Sequence, residues 1–118
     1  MQIIIGKDNA MALRERYTVL ELETLEKDGV VIDAFCVVPA EKINLGEMVN
    51  LDKNIRLHEK FVESLKMQDY DSCRDLYGHL YGKFGGELDS FYDEIMRRAD
   101  SMLVPGQTKN NIINSQDR

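Results

Sequence analysis

The spacing of apolar residues divides the chain into a β-like first third and a helical remainder. Ile3-Ile4-Ile5 is a β-branched run closed by Gly6, the pattern of a short buried strand. Ala10, Leu13 and Tyr17 then recur at helical spacing behind Asp8, which predicts a short helix capped by that aspartate. From Thr18 to Leu25 the period drops to two, with Leu20 and Leu22 alternating with Glu21 and Glu23. Asp28-Gly29 separates this run from Val30-Val31-Ile32-Asp33-Ala34-Phe35-Cys36-Val37-Val38, and Asp-Gly between two such runs is a strong hairpin signal. With Asp28 and Gly29 as the turn, Leu22 faces Phe35 and Leu20 faces Val37, while Glu21 and Glu23 face Cys36 and Ala34. The second strand is apolar on both faces, so it is expected inside the sheet, with the Glu21/Glu23 strand at an edge where charge discourages stray pairing.

Pro39 ends the sheet, and residues 40–50 carry only a weak pattern, a loop or partly helical connection. Beyond them the period is helical. Leu51, Ile55, His58, Phe61, Val62 and Leu65 fall in one arc at 100° per residue. Gln68-Asp69-Tyr70 breaks it, Asp71 or Ser72 caps the next helix, and Cys73, Leu76, Tyr77, Leu80 and Phe84 form its face until Gly85-Gly86. A last helix carries Leu88, Phe91, Tyr92, Ile95, Ala99 and Met102 and stops before Pro105. The expected fold is α+β: a small three-stranded sheet with a hairpin, covered by about three C-terminal helices. It forms one domain over 1–104, with the sheet and short helix in 1–38 and the helices in 50–104. The polar stretch 105–118 is expected to be a mobile tail.

Composition narrows the function. In 118 residues there are 21 acids against 15 Lys and Arg, a net charge of −6. That balance argues against a surface built to grip nucleic-acid phosphates or an anionic membrane. The two cysteines, Cys36 and Cys73, have neither CxxC nor metal-finger spacing and read as reduced core residues in a cytoplasmic protein. Neither a signal core nor a run of membrane-spanning length is present, so a soluble protein is expected.

The chemistry-bearing residues form no catalytic set. Gly6-Lys7 sits between strand and helix like a phosphate loop, but the leading glycine and the following Ser or Thr are missing. Asp69, Asp71 and Asp75 have odd spacing like a calcium loop without its glycine or terminal Glu. These acids, like Glu87, Asp89, Asp93 and Glu94, stand where helices begin and the macrodipole favours negative charge. No catalytic residue, metal site or cofactor is therefore assigned. His58, in the middle of an apolar arc, reads as a hydrogen-bonded core histidine, and His79 lies off the apolar face of its helix.

Two features remain unexplained by folding. Gly78 and Gly82 stand four apart on the predicted helix, opposite Leu76, Leu80 and Phe84, and each costs about 1 kcal/mol there relative to alanine. Small residues at that spacing let another backbone approach, with His79 and Tyr81 beside the groove; the approaching element is the last helix or a second subunit. The acidic excess is the other feature. Residues 18–50 hold seven acids and two bases, and Glu21 and Glu23 lie on their edge strand.

Leu57 to Phe84 resembles a single tetratricopeptide-like helical hairpin, through Leu65, Tyr70, Cys73, Leu76-Tyr77 and Leu80. More broadly, Tyr17-Thr18-Val19-Leu20-Glu21-Leu22 and Gly82-Lys83-Phe84-Gly85-Gly86-Glu87-Leu88-Asp89-Ser90-Phe91-Tyr92 are similar to small uncharacterised proteins of contractile-tailed phages, cyanobacterial phages among them. That resemblance implies action by binding host or phage machinery. The expected function is a small acidic, non-enzymatic protein-interaction module, a homodimer with a protein partner; its acidic surface suits a basic one. Glu21, Glu23, Gly78, His79, Tyr81 and Gly82 are its candidate contacts. One alternative is a small-molecule or nucleotide-binding protein, with a pocket between sheet and helices lined by Tyr70, Tyr77, Tyr81 and His58. Another is an acidic mimic of nucleic acid.

Overall fold

A computed structural model describes residues 1–101, so the expected tail 105–118 and Met102 lie outside the described residues. Asp28 and Gly29 both take positive φ, 53° and 80°, the type I′ geometry that matches the right-handed twist of paired strands. They join β2 (Thr18–Lys27) to β3 (Val30–Val38). β1 (Gln2–Ile5) pairs on the other side of β3, giving an antiparallel sheet of order β1-β3-β2. The strand that is apolar on both faces is thus central, and the Glu21/Glu23 strand is an edge.

The hairpin register departs from the expected one halfway along. Pairing runs as expected from Lys27↔Val30 to Thr24↔Asp33, then slips by one residue, so that Glu21 pairs with Phe35 and Leu20 with Cys36. Leu22 and Glu23 share the place opposite Ala34, a β-bulge. The expected pairs Leu22–Phe35 and Leu20–Val37 do not form, for a packing reason. Leu20 and Leu22 belong to one core with Ala34, Cys36 and Val38, while the buried Phe35 and Val37 face the opposite side. An unbroken register would have turned both leucines away from that core.

On the Phe35 side the sheet is backed by α1 (Lys7–Leu13), which ends short of the expected Tyr17 and starts from Gly6 rather than from an Asp8 cap. On the other side lie α3 (Leu51–Lys66), α4 (Tyr70–Leu80) and α5 (Asp89–Ser101), with α3 against β2, α4 against α3 and α5 against α4. The α3 arc is buried as its period requires, at His58, Phe61, Val62 and Leu65, and it also buries Asn54. Asp69, not Asp71 or Ser72, caps α4: its carboxylate accepts from the Ser72 N–H (3.2 Å) and hydroxyl (2.7 Å). Phe61, Phe91 and Tyr92 stack edge-on in the centre, with Phe61 and Tyr92 ring centroids 5.1 Å apart. Both cysteines are free and buried, and burial pushes each thiol up to about 11.

The weakly patterned segment forms a 3-10 turn (Ala40–Lys42) and a one-turn helix, α2 (Leu45–Met48), capped by Asn44. It is clamped to a second 3-10 turn, Phe84–Gly86, by the Glu47 carboxylate, which accepts from the Phe84 and Gly85 N–H groups. Gly85, at φ 66°, lies so close that a Cβ there would sit 2.2 Å from the Lys42 carbonyl oxygen. Only glycine fits. Among the described residues no helix is long and apolar enough to cross a membrane.

Candidate functional site

The expected pocket between sheet and helices is not assembled. His58 is wholly buried, with both ring nitrogens engaged: Nε2 lies 2.6 Å from the Glu21 carbonyl oxygen and Nδ1 2.8 Å from the Tyr92 hydroxyl. A carbonyl can only accept, so Nε2 carries the proton and Nδ1 accepts from the hydroxyl. Burial pulls the His58 pKa from 6.5 down to about 4, against a smaller upward pull from the Glu21 carbonyl and carboxylate. This is a neutral core histidine joining α3, α5 and β2. Tyr70 borders a separate groove with Leu22, Glu23 and Val62, while Tyr77 and Tyr81 turn towards α5. There the Tyr77 hydroxyl donates to Asp93 at 2.7 Å, and that bond first, with the carboxylate charge, pushes Tyr77 up to about 12.

The edge-strand acids are also engaged. Glu21 accepts from Lys66 at 2.6 Å, and Glu23 from Arg98 at 2.5 Å, with Arg98 also donating to Glu94 at 3.1 Å. The two carboxylates stitch β2 to α3 and α5 rather than presenting bare charge. Sequence reading placed them at the edge; it had no means of supplying the bases opposite.

The glycines need a different explanation from close helix packing. α4 ends at Leu80, so Gly82 is not a helical residue; its φ of 84° is left-handed, where a side chain would be strained. Phe84 reaches the core from the following 3-10 turn, and the helix stops before Gly85-Gly86, not at them. A Cβ built at Gly78 meets nothing within 4 Å, so the last helix does not pack there. Tyr81 leaves the group altogether and stacks on Tyr77, ring centroids 5.3 Å apart.

What the glycines open is a cleft of about 550 Å³ between the start of α3, α2 and the end of α4. Gly78, His79, Gly82 and Lys83 line one side; Asn44, Gly46, Glu47, Asn50, Lys53, Asn54 and Leu57 line the other. Asn54 is only 4% exposed, and among the described residues its carboxamide has no hydrogen-bond partner, a rare condition for a buried polar group. Among the described residues neither Lys53 nor Lys83 forms a salt bridge, and the Asn50 side chain leaves the N-terminus of α3 uncapped. Sequence reading found three lining residues, Gly78, His79 and Gly82, and missed Asn54. Its signal was present: Asn54 falls inside the apolar arc, between Leu51 and His58.

A second surface stands apart from the cleft. The outer edge of β1 has no strand partner among the described residues, and its residues carry no charge. Ile3 and Ile5 are each 52% exposed because α3 packs over β2 and leaves the β1 side of that face bare. No family model, curated protein or solved structure matches the chain.

Proposed function

We propose that the protein is an interaction module that acts by binding and works as a homodimer joined along β1. The observation that supports this is the contrast between the two sheet edges. β2 bears Glu21, Glu23, Glu26 and Lys27 and a bulge, devices that discourage edge pairing. β1 has none of them. In a chain of net charge −6, an uncharged strand is where two copies can meet without like charges opposed, and a two-fold axis beside β1 would place the same residues of each copy face to face. Antiparallel pairing there would join two three-stranded sheets and cover Ile3 and Ile5 at once. The resemblance to small proteins of contractile-tailed phages supplies the setting of the proposal: a host or phage protein as partner, in the cytoplasm. Nucleic-acid mimicry has less support, because Glu21 and Glu23 are matched by Lys66 and Arg98.

Sedimentation velocity tests the reading. The wild type should sediment as a dimer at about 50 µM, and Ile3→Lys with Ile5→Lys should give a folded monomer. Gly78→Leu should remain a dimer, which separates this edge from the glycine surface. A wild type that stays monomeric at that concentration, or a double lysine variant that stays dimeric, overturns the proposal.

A further inference from the structure

We propose that the cleft at the N-terminus of α3 binds a small phosphomonoester, with Asn54 reading a hydroxyl or amide-like edge on the body of the ligand. The Asn54 side chain has an unmet requirement. A carboxamide carries two donors and an acceptor, and leaving them unpaired away from water is costly. Asn54 is buried yet unpartnered among the described residues, and the space it borders is the cleft. A group that donates and accepts at once, such as a sugar hydroxyl or the edge of a purine base, satisfies both ends of the amide.

Charge points the same way. The protein as a whole repels anions, but this cleft does not. Lys53 and Lys83 border it without salt bridges among the described residues, and the uncapped N-terminus of α3 adds the positive end of a 16-residue helix dipole. Glu47 is the one carboxylate on the lining, and its oxygens are held by the Phe84 and Gly85 N–H groups. Two ammonium groups and a helix start suit the dianion of a phosphate monoester. Size agrees as well. The volume of about 550 Å³ falls within the range of small-ligand sites, about 300–1,000 Å³. Gly78 then has a purpose, since any side chain there would project into the open space.

Titration of the isotope-labelled full chain, followed by amide NMR, tests this. The probes are adenosine monophosphate, ribose 5-phosphate, unphosphorylated adenosine and inorganic phosphate. The two esters should shift amides at the start of α3 and around Gly78–Lys83, and bind at least about tenfold more tightly than adenosine or inorganic phosphate. Whichever ester is tighter distinguishes a nucleotide from a sugar phosphate. Lys53→Gln and Gly78→Leu alter exposed positions and should each weaken ester binding about tenfold or more. Asn54→Leu should reduce ester affinity to that of inorganic phosphate. The proposal is overturned if no probe shifts these amides at about 5 mM, or if Gly78→Leu binds like the wild type. It is equally overturned if inorganic phosphate matches the esters, an adventitious ion only.

Discussion

His58 and Asn54 lie one turn apart on the same helix, both buried, both polar, both on the arc that faces the core. Around His58 every polar atom has a partner: the ring joins the Tyr92 hydroxyl to the Glu21 carbonyl. The Asn54 carboxamide has no partner among the described residues, and the space beside it is a cleft lined by two lysines and an uncapped helix start. The contrast separates two uses of a buried polar side chain. One is satisfied inside the molecule and holds three elements together. The other is satisfied only from outside, which is the condition for a binding site. Residue type alone would have ranked them the other way, histidine being the commoner functional group.

Substitution should expose the difference most strongly at His58. His58→Phe keeps much of the volume but leaves the Tyr92 hydroxyl and the Glu21 carbonyl unpaired, and is expected to cost about 3–5 kcal/mol in urea denaturation. Acid should follow in size. In the unfolded chain His58 titrates near 6.5, in the folded one near 4, so the unfolded state binds more protons between these values. Its contribution is therefore complete above pH 6.5, declines as pH falls, and is lost by about pH 4, roughly 3 kcal/mol in all. Urea midpoints measured between about pH 7 and 4 should fall less steeply in His58→Phe than in the wild type. The smallest effect is expected at Asn54, with the opposite sign. Asn54→Leu removes an unpaired amide and should leave stability unchanged or raise it by about 1 kcal/mol. A loss as large as that of His58→Phe would mean the amide is satisfied within the protein, and the contrast would collapse.

Much of the architecture was legible because period and turn chemistry act locally. Asp28-Gly29 specifies a type I′ turn, and the alternation around Leu20 and the arc through Leu51–Leu65 specify strand and helix. The bulge at Leu22 and Glu23 was not legible, since it answers to a core that forms only when α3 covers the sheet. Nor was the early end of α4: the Leu76–Leu80–Phe84 spacing continues helically, but Phe84 reaches the core from a turn clamped by Glu47, 37 residues away along the chain. The close helix packing that singled out Gly78 and Gly82, with His79 beside them, does not occur. The missing side chains of Gly78 and Gly82 open a cleft instead of admitting a helix, His79 lines it, and Tyr81 beside them turns to Asp93.

The hydrophobic periods determined a sheet-and-helix protein, and the residue counts its net charge of −6; both are properties of the sequence itself. Tertiary structure decided where that charge acts. It matched Glu21 and Glu23 with Lys66 and Arg98, left Lys53 and Lys83 without ion pairs among the described residues, and so placed a local basic cleft on an acidic molecule. Charges sum along a chain without regard to distance, but they attract and repel through space. Only the fold fixes which of them are neighbours.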